Sequence, residues 1–313
     1  MTNFKEVRTG VVGVGSMGQN HARIYSEISN LVGVADPDKV QGTKIANLYG
    51  AKWFKDYEEM FTKVDAVSIS VPTFMHEEVS KNASNANVNI LVEKPLAANT
   101  HQARNIIEAC KKNQIILGVG HVERFNPVIN SVKSFLSESS SGKISTICAR
   151  RFSPYPIRIS DVGVLFDLTI HDVDIIRNLS NSVPISVYAS GGNFFNKDNE
   201  DFVNVILNFE NGIRGLCQTN WLTPFRTRDL SITTSNNYIK ADYLSQQVEV
   251  INSNEKFFLD VKDNEPLKLE LVDFLSSVQN NKEPEISGKD GLLAVEIVEA
   301  ALQSMKEDKL ILL

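Results

Sequence analysis

The feature that most constrains the fold is a glycine-rich hexapeptide, GVGSMG, which begins at Gly13 between a short apolar run and a stretch with helical spacing. In such a motif Gly13 allows a tight turn, Gly15 lets the backbone approach a pyrophosphate, and Gly18 lets the helix pack closely on the strand. The amides of Ser16 and Met17 would point at phosphates from the positive end of the helix. The motif predicts a strand–turn–helix unit that binds a dinucleotide; the alternative is a glycine turn without a ligand.

Asp36 follows the next apolar run, about 20 residues after the glycines, where dinucleotide-binding folds place a ribose-binding carboxylate. A carboxylate accepts hydrogen bonds from both ribose hydroxyls and repels a 2′-phosphate, so NAD is favoured over NADP. Lys39 is near enough to keep NADP as the less favoured alternative. Asp36 could also simply begin the Asp36-Pro37-Asp38 turn.

The chain changes its hydrophobic period near residue 144. Before it, apolar runs alternate with helical spacing, which predicts a doubly wound parallel sheet: strands at 11–14, 31–35, 66–71, 89–92 and 115–119, and helices at 17–28, 38–49, 75–86 and 100–112. After it, strand-like runs follow one another, which predicts a large, open, mostly antiparallel sheet: 145–152, 185–191, 201–209, 213–220, 230–234, 238–242 and 247–251. Helices are expected at 164–179, 268–279 and 289–306, and Asn211-Gly212 predicts a tight hairpin turn.

The expected class is therefore α/β plus α+β. Residues 1–121 would form a Rossmann NAD-binding domain, and residues 122–313 a domain for substrate binding and oligomerisation, whose C-terminal helix could pack back on the first domain. Strand ends in a doubly wound sheet face the ligand crevice, which adds Val71, Pro72 and Thr73 to the expected cofactor site. His76 could approach the cofactor or lie on its helix surface.

Several of these positions together resemble a known family. The GVGSMG motif, Pro72-Thr73, Glu93-Lys94-Pro95, Asp167 and His171 are similar to motifs of the glucose–fructose oxidoreductase / inositol dehydrogenase / MocA (Gfo/Idh/MocA) family. The resemblance implies hydride transfer between a nicotinamide and a sugar or polyol hydroxyl, with Glu93 and Lys94 at the cofactor. It also implies that Lys94, Asp167 and His171 form the catalytic group.

Each catalytic residue has an expected role. His171 would be the general base in oxidation, Lys94 would bind the hydroxyl or relay its proton, and Asp167 would orient the group. The roles of Lys94 and His171 could be exchanged. Asp172 and Asp174 adjoin His171, but neighbours at that spacing do not converge as a tetrahedral site does, so no metal is expected.

The arginines Arg150, Arg151 and Arg158 lie within nine residues of an otherwise acidic chain, which makes an anionic substrate plausible. Alternatively, Arg150 and Arg151 face opposite sides of a strand. Three segments, Gly120–Pro127, Phe166–Ile176 and Asn220–Phe225, resemble the branch of the family that oxidises the 3-hydroxyl of UDP-N-acetylglucosamine. This resemblance implies that Arg124, Asn126 and Arg151 hold a sugar nucleotide. The alternatives are an inositol, hexose or nucleotide-linked uronate dehydrogenase, an NAD-assisted glycosidase and a non-catalytic sensor.

Composition limits the partners. With 32 basic and 38 acidic residues the net charge is −6, which argues against nucleic-acid and membrane-surface binding. No apolar stretch of about 20 residues and no signal-like N-terminus occurs, so a cytoplasmic location is expected. The alternating row Val203, Val205, Leu207 and Phe209 suggests a sheet face available for packing. The family resemblance implies a homodimer or homotetramer formed through that sheet.

Overall fold

The computed structural model describes residues 4–156, 162–195 and 198–313, which form two compact units. The first comprises the chain up to Val122 together with Leu267–Val295, and the second comprises Glu123–Pro266 together with Glu296–Leu313. The first division lies next to the expected boundary after residue 121. The segment Leu267–Val295, which we expected in the second domain, belongs instead to the first unit.

The first unit is a doubly wound α/β domain, as the alternation of periods predicted. Its strands, in the order β3-β2-β1-β4-β5-β6 and all parallel among the described residues, are β1 (Phe4–Val12), β2 (Ser29–Ala35), β3 (Lys52–Phe54), β4 (Ala66–Ile69), β5 (Asn89–Glu93) and β6 (Leu117–Gly120). The helices before residue 122 are α1 (Gly18–Ile28), α2 (Lys39–Tyr49), α3 (Tyr57–Phe61), α4 (His76–Asn85) and α5 (Thr100–Lys112). Strand β4 is buried at all four positions, as expected for a parallel sheet covered on both faces.

The second unit contains α6 (Pro127–Leu136), α7 (Ile170–Ser180) and a mostly antiparallel sheet. Its described strands are β7 (Ile144–Phe152), β8 (Pro184–Gly192), β9 (Phe202–Phe209), β10 (Arg214–Asn220), β11 (Thr227–Thr234), β12 (Tyr238–Asp242), β13 (Gln247–Ile251), β14 (Lys256–Phe258) and β15 (Ile311–Leu312). They run in the order β14-β13-β12-β11-β7-β10-β9-β8-β15, and only β7 and β10 pair in parallel among the described strands. The predicted turn at Asn211-Gly212 joins β9 to β10, with Gly212 at φ +89°.

One expected feature of the sheet is wrong. The apolar row Val203, Val205, Leu207 and Phe209 is buried within the chain, so it is not a free face. The intervening residues of β9 point the other way, and Ile206 among them is 39% exposed. Any packing of copies through this strand would use that outer side.

Two helices close the chain, α8 (Pro266–Asn280) and α9 (Gly288–Glu307). Apolar side chains of α8, including Leu271 and Phe274, join the core of the first unit with Val11 of β1. This burial explains why the segment from Leu267 leaves the second unit. Helix α9 begins in the first unit and ends in the second, where the Ser304 hydroxyl accepts a hydrogen bond from the Ala189 amide at 2.9 Å. None of the helices in the described ranges combines the length and the hydropathy needed to cross a bilayer.

Candidate active site

The glycine loop after β1 is tied to the end of β2. Gly13 has φ +81°, a conformation that glycine adopts without strain, and its amide donates to the Ala35 carbonyl at 2.8 Å. The Val14 amide donates to Asp36 Oδ2 at 2.8 Å, and Gln41 Nε2 donates to the Val14 carbonyl at 2.9 Å. These bonds fix the loop before any ligand binds.

Gly15 and Gly18 serve different purposes. A Cβ built on Gly18 would lie 1.8 Å from the Gly13 carbonyl oxygen, so this glycine is required by packing. A Cβ on Gly15 would meet no described atom within 4 Å, which leaves room for a ligand against the backbone there. Ser16 is exposed and Met17 half-buried, and α1 starts without a side-chain cap within the described chain. The helix start can therefore receive a phosphate.

Asp36 is half-buried at the end of β2, where its carboxylate is held by backbone amides. Oδ2 accepts from Val14, and Oδ1 accepts from the Asp38 amide at 2.9 Å. Because each carboxylate oxygen can accept more than one hydrogen bond, this orientation leaves capacity for ribose hydroxyls. The geometry fits the predicted role and adds a second one, anchorage of the glycine loop.

The loops that follow β4 and β5 are joined by His76. Val71 and Thr73 are half-buried and Pro72 is exposed, whereas His76 is 1% exposed. Its Nδ1 lies 2.9 Å from the Pro95 carbonyl and its Nε2 lies 3.0 Å from the Val71 carbonyl. Burial lowers the pKa of this imidazole, which opposes its protonation. His76 therefore positions the loop that carries Lys94, and the alternative that it lies on the surface of its helix is wrong. Its approach to the cofactor stays a prediction.

Glu93, at the end of β5, also acts through its neighbours. Its Oε1 lies 2.9 Å from His21 Nε2, and its Oε2 accepts from the Lys94 amide at 3.2 Å. Burial alone would raise the pKa of Glu93, but the hydrogen bond and charge of His21 and the charge of Lys94 lower it below its usual value. Its carboxylate is thus an internal anchor for the half-buried Lys94, and the cofactor contact expected of Glu93 stays a prediction.

The polar residues beneath Glu93 were not predicted. His21 Nδ1 lies 2.8 Å from Ser68 Oγ, which is also 2.8 Å from the Tyr25 hydroxyl. Glu270 of α8 is 2% exposed, and neither of its carboxylate oxygens has a hydrogen-bond partner in the described part of the chain. Burial and the charge of Glu93 raise its pKa well above the usual value, which favours the protonated acid. The sequence offered one signal of this buried polar group. His21 is a polar residue three positions after Gly18, on the face of α1 that is buried.

In the second unit, Asp167 lies in a π-helical turn, Leu165–Thr169, immediately before α7. The prediction of a regular α-helix from residue 164 is wrong in this first turn, and π turns of this kind occur frequently at functional sites. Glu200 holds the start of the turn, because its Oε1 accepts from the Leu165 amide at 3.0 Å. Asp167 and His171 are both half-buried.

His171 is followed on α7 by two aspartates, Asp172 and Asp174, that bind buried arginines. Arg151 donates to Asp172 through Nη2 at 2.9 Å and to Glu123 Oε1 through Nη1 at 2.9 Å. Burial alone would lower the pKa of Arg151, but these two carboxylates raise it. Two guanidinium nitrogens of Arg124 bind the Asp174 carboxylate, with Nε at 2.6 Å from Oδ2. Both pairs hold α7 against its surroundings. Among the described residues, no group of three or more His, Cys, Asp or Glu could hold a metal ion.

The structure places Arg124, Asn126 and Arg151, the predicted substrate ligands, among buried polar partners of the second unit, and their part in substrate binding stays a prediction. All three are at most 6% exposed. Asn126 caps α6 through the Val128 amide at 3.1 Å and donates to Glu123 Oε2 at 3.1 Å. Since these polar groups are already paired inside the unit, a phosphate would have to displace buried carboxylates.

Arg150, a second member of the predicted cluster, does not share the buried position of Arg151. Arg150 lies on the opposite face of β7 and pairs with Asp229 at 2.8 Å, so the alternative of opposite faces is the correct one. Arg158 lies outside the described residues. A cleft of about 420 Å³ in the same unit is lined by residues that include Arg151, Tyr155, Asp167, Trp221, Arg226 and Arg228.

We expect Gly18→Ala and Gly15→Ala to separate packing from ligand binding. Gly18→Ala should lower the free energy of unfolding by about 1–3 kcal/mol, because its methyl group would overlap the Gly13 carbonyl. Gly15→Ala should change it by less than about 0.5 kcal/mol but weaken NAD binding at least tenfold. Urea denaturation and titration calorimetry measure the two effects. Unchanged NAD affinity in Gly15→Ala would exclude a pyrophosphate at this backbone.

The neighbouring arginines of β7 provide a matched pair. Arg151→Gln should lower the free energy of unfolding by about 3–5 kcal/mol, because it leaves buried carboxylates unpaired. Arg150→Gln should cost less than about 1 kcal/mol, because the Arg150 side chain is 53% exposed. Urea denaturation compares the two variants. Equal, small losses would show that Arg151 is not a structural charge.

Two family models match the chain, and together they cover more than two thirds of it. The NAD-binding Rossmann-fold model of the Gfo/Idh/MocA oxidoreductase family matches residues 7–121, and the C-terminal domain model of the same family matches residues 129–240. The first unit is thus an NAD-binding Rossmann domain by sequence as well as by topology.

Characterised relatives extend over nearly the whole chain. UDP-N-acetylglucosamine 3-dehydrogenase of Acidithiobacillus ferrooxidans is 28% identical over 307 residues, covering 95% of this chain and 96% of the relative. Myo-inositol 2-dehydrogenase of Thermotoga maritima is 27% identical over 327 residues, covering 97% of each. A solved structure of the former protein aligns with a TM-score of 0.90 at 26% identity, covering 96% of this chain and 98% of that chain. This chain belongs to the Gfo/Idh/MocA family of NAD(P)-dependent oxidoreductases.

Proposed function

We propose that this chain is an NAD-dependent dehydrogenase that oxidises a sugar hydroxyl, the 3-hydroxyl of UDP-N-acetylglucosamine. The observation that carries the dehydrogenase assignment is the presence of Lys94, Asp167 and His171, each on a segment fixed by buried polar partners. The 28% identity to UDP-N-acetylglucosamine 3-dehydrogenase supports this substrate. The 27% identity to myo-inositol 2-dehydrogenase supports an inositol as the second candidate.

A charge argument favours the sugar nucleotide over inositol. The cleft that Asp167 lines also contains Arg226 and Arg228, and an uncharged polyol would add no anion to either cation, of which Arg228 has only the 3.8 Å ion pair with Glu123. A nucleotide diphosphate supplies negative charge there. The same reasoning applies to a nucleotide-linked uronate, which the test below includes.

Asp36 supports NAD as the preferred cofactor. Its carboxylate is oriented by the Val14 and Asp38 amides and cannot turn away from an added phosphate without losing these bonds. A 2′-phosphate placed at the ribose would therefore meet a fixed negative charge. Lys39 lies with its Nζ 5.9 Å from the centre of the Trp53 ring, so its charge has a neighbouring partner.

In the proposed reaction the sugar alcohol loses the proton of its hydroxyl group and a hydride from the carbon that bears it. NAD, when bound, supplies the hydride acceptor. His171 accepts the hydroxyl proton, Lys94 stabilises the developing alkoxide, and Asp167 orients the group. Lys94 belongs to the first unit, whereas Asp167 and His171 belong to the second. An exchange of roles between Lys94 and His171 remains the alternative assignment.

The open sheet supports a proposal about assembly. Its outer side carries a groove of about 600 Å³ lined by residues that include Leu216, Tyr238 and Phe258. Phe258 is 60% exposed. We propose that copies of the chain associate through this side as a homodimer or homotetramer, and that the enzyme works in the cytoplasm.

The substrate assignment is tested by following NADH absorbance with UDP-N-acetylglucosamine, its uronate, myo-inositol and glucose. We expect the highest kcat/KM with UDP-N-acetylglucosamine, and a higher value with NAD than with NADP. Turnover of myo-inositol without turnover of either nucleotide sugar would overturn the substrate. Product analysis that shows glycoside cleavage without net NADH would instead identify an NAD-assisted glycosidase.

Lys94→Met and His171→Ala should each slow hydride transfer by at least about 10²-fold, because each removes a group that handles the hydroxyl proton. Lys112→Met and His101→Ala are matched controls, since both side chains are exposed on α5. Single-turnover NADH formation with saturating substrate measures the step. A wild-type rate in either catalytic variant would remove that residue from the mechanism.

A further inference from the structure

We propose that Arg226 and Arg228 form an anion subsite that holds the phosphates of the substrate. The inference rests on the proposed substrate class, a nucleotide-linked sugar, and it replaces the buried arginines Arg124 and Arg151 as the phosphate ligands. The subsite lies entirely within the second unit, in the cleft that Asp167 also lines.

The sheet places Arg228 directly beside a second arginine. Arg228 of β11 and Arg151 of β7 are paired across the antiparallel ladder, so their side chains share one face. Like charges in this position repel each other unless an anion lies between them. Glu123 provides that anion, but its Oε1 lies 2.9 Å from Arg151 Nη1 and 3.8 Å from Arg228 Nη1. The carboxylate therefore neutralises Arg151 far better than Arg228.

The electrostatics of the face show the same imbalance. Arg151 is paired with both Asp172 and Glu123, whereas within the described residues Arg228 has only the longer ion pair with Glu123. Burial, followed by repulsion from Arg151, lowers the pKa of Arg228, with Arg226 adding to the repulsion and Glu123 opposing it. An arginine remains charged despite such a shift, so the site keeps an uncompensated cation.

Arg226 adds a second positive charge that is more exposed to solvent than Arg228. It immediately precedes β11, two residues before Arg228, and both arginines line the same cleft. Arg226 is exposed and forms no ion pair with a carboxylate of the described segments. Two guanidinium groups in one cleft can bind adjacent phosphates through paired donors.

The remainder of the cleft suits the other parts of a sugar nucleotide. Tyr155 lines it and packs edge-on against Trp221, with the ring centres 5.9 Å apart. An aromatic surface of this kind can receive a nucleobase. Asp167 lines the same cleft as the arginines, so the phosphate subsite shares this cleft with a residue of the proposed catalytic group. An inositol would use neither the arginines nor the aromatic surface.

The test compares Arg226→Gln, Arg228→Gln and the double variant with the control Arg214→Gln. Arg214 is exposed on β10, and its Nη1 donates to the backbone carbonyls of Gly212 and Ile213. UDP binding is measured by titration calorimetry, and KM and kcat are measured with UDP-N-acetylglucosamine. We expect each single variant to weaken UDP binding at least about tenfold, with KM rising more than kcat falls. Arg214→Gln should bind UDP as the unaltered enzyme does.

The outcomes separate the subsite from the substrate. If the unaltered enzyme oxidises UDP-N-acetylglucosamine and the folded double variant keeps its UDP affinity, the subsite is wrong and the proposed function stands. If UDP binds in an arginine-dependent way but the nucleotide sugar is not oxidised, the subsite stands and the substrate is wrong. Failure of the unaltered enzyme to bind UDP overturns the subsite. Arg228→Lys retains the charge and, with thermal unfolding, distinguishes lost binding from lost folding.

Discussion

The ion pair between Arg151 and Asp172 is the constraint on which the second unit depends. It joins a central strand of the sheet to α7, the helix that carries His171, at a position where both side chains are nearly inaccessible to water. Buried charges are costly unless they are paired, so neither partner can be removed without exposing the other to an apolar interior. The ion pair fixes α7 to the sheet. Glu123 pairs with Arg151 and also with Arg228, which lines the cleft. The pairing offsets much of the cost of burying these charges, and it holds in place the helix that carries His171 of the proposed catalytic group.

The first unit fixes Lys94 by a related means. There the buried anion is Glu93, held by His21 and by the amide of Lys94 itself, while His76 ties the same loop to the end of β4. In both units the proposed catalytic side chain is only half-buried, and the groups that hold it lie underneath. This division lets the reactive groups reach a substrate while their backbone is restrained by interactions that water does not weaken.

The fold and the glycine loop could be predicted because they follow from local patterns: the change in hydrophobic period near residue 144, and the spacing of Gly13, Gly15 and Gly18. The partners of the arginines could not. An arginine has the same sequence signature whether it binds a phosphate or a carboxylate, and Asp172 lies 21 residues from Arg151 along the chain. The π-helical turn at Asp167 was missed for a similar reason, since its apolar spacing is compatible with an α-helix.

The buried ion pairs change what the net charge of the chain says about ligand binding. The net charge of −6 describes the whole chain, but the carboxylates that contribute to it include Asp172, Asp174 and Glu123, which are consumed by internal arginines. What governs ligand binding is the charge left over at an accessible surface. In the cleft of the second unit that remainder is positive and lies at Arg226 and Arg228, beside Arg151, whose charge is already paired. An acidic protein can therefore present a cationic subsite, provided that its buried carboxylates are committed elsewhere.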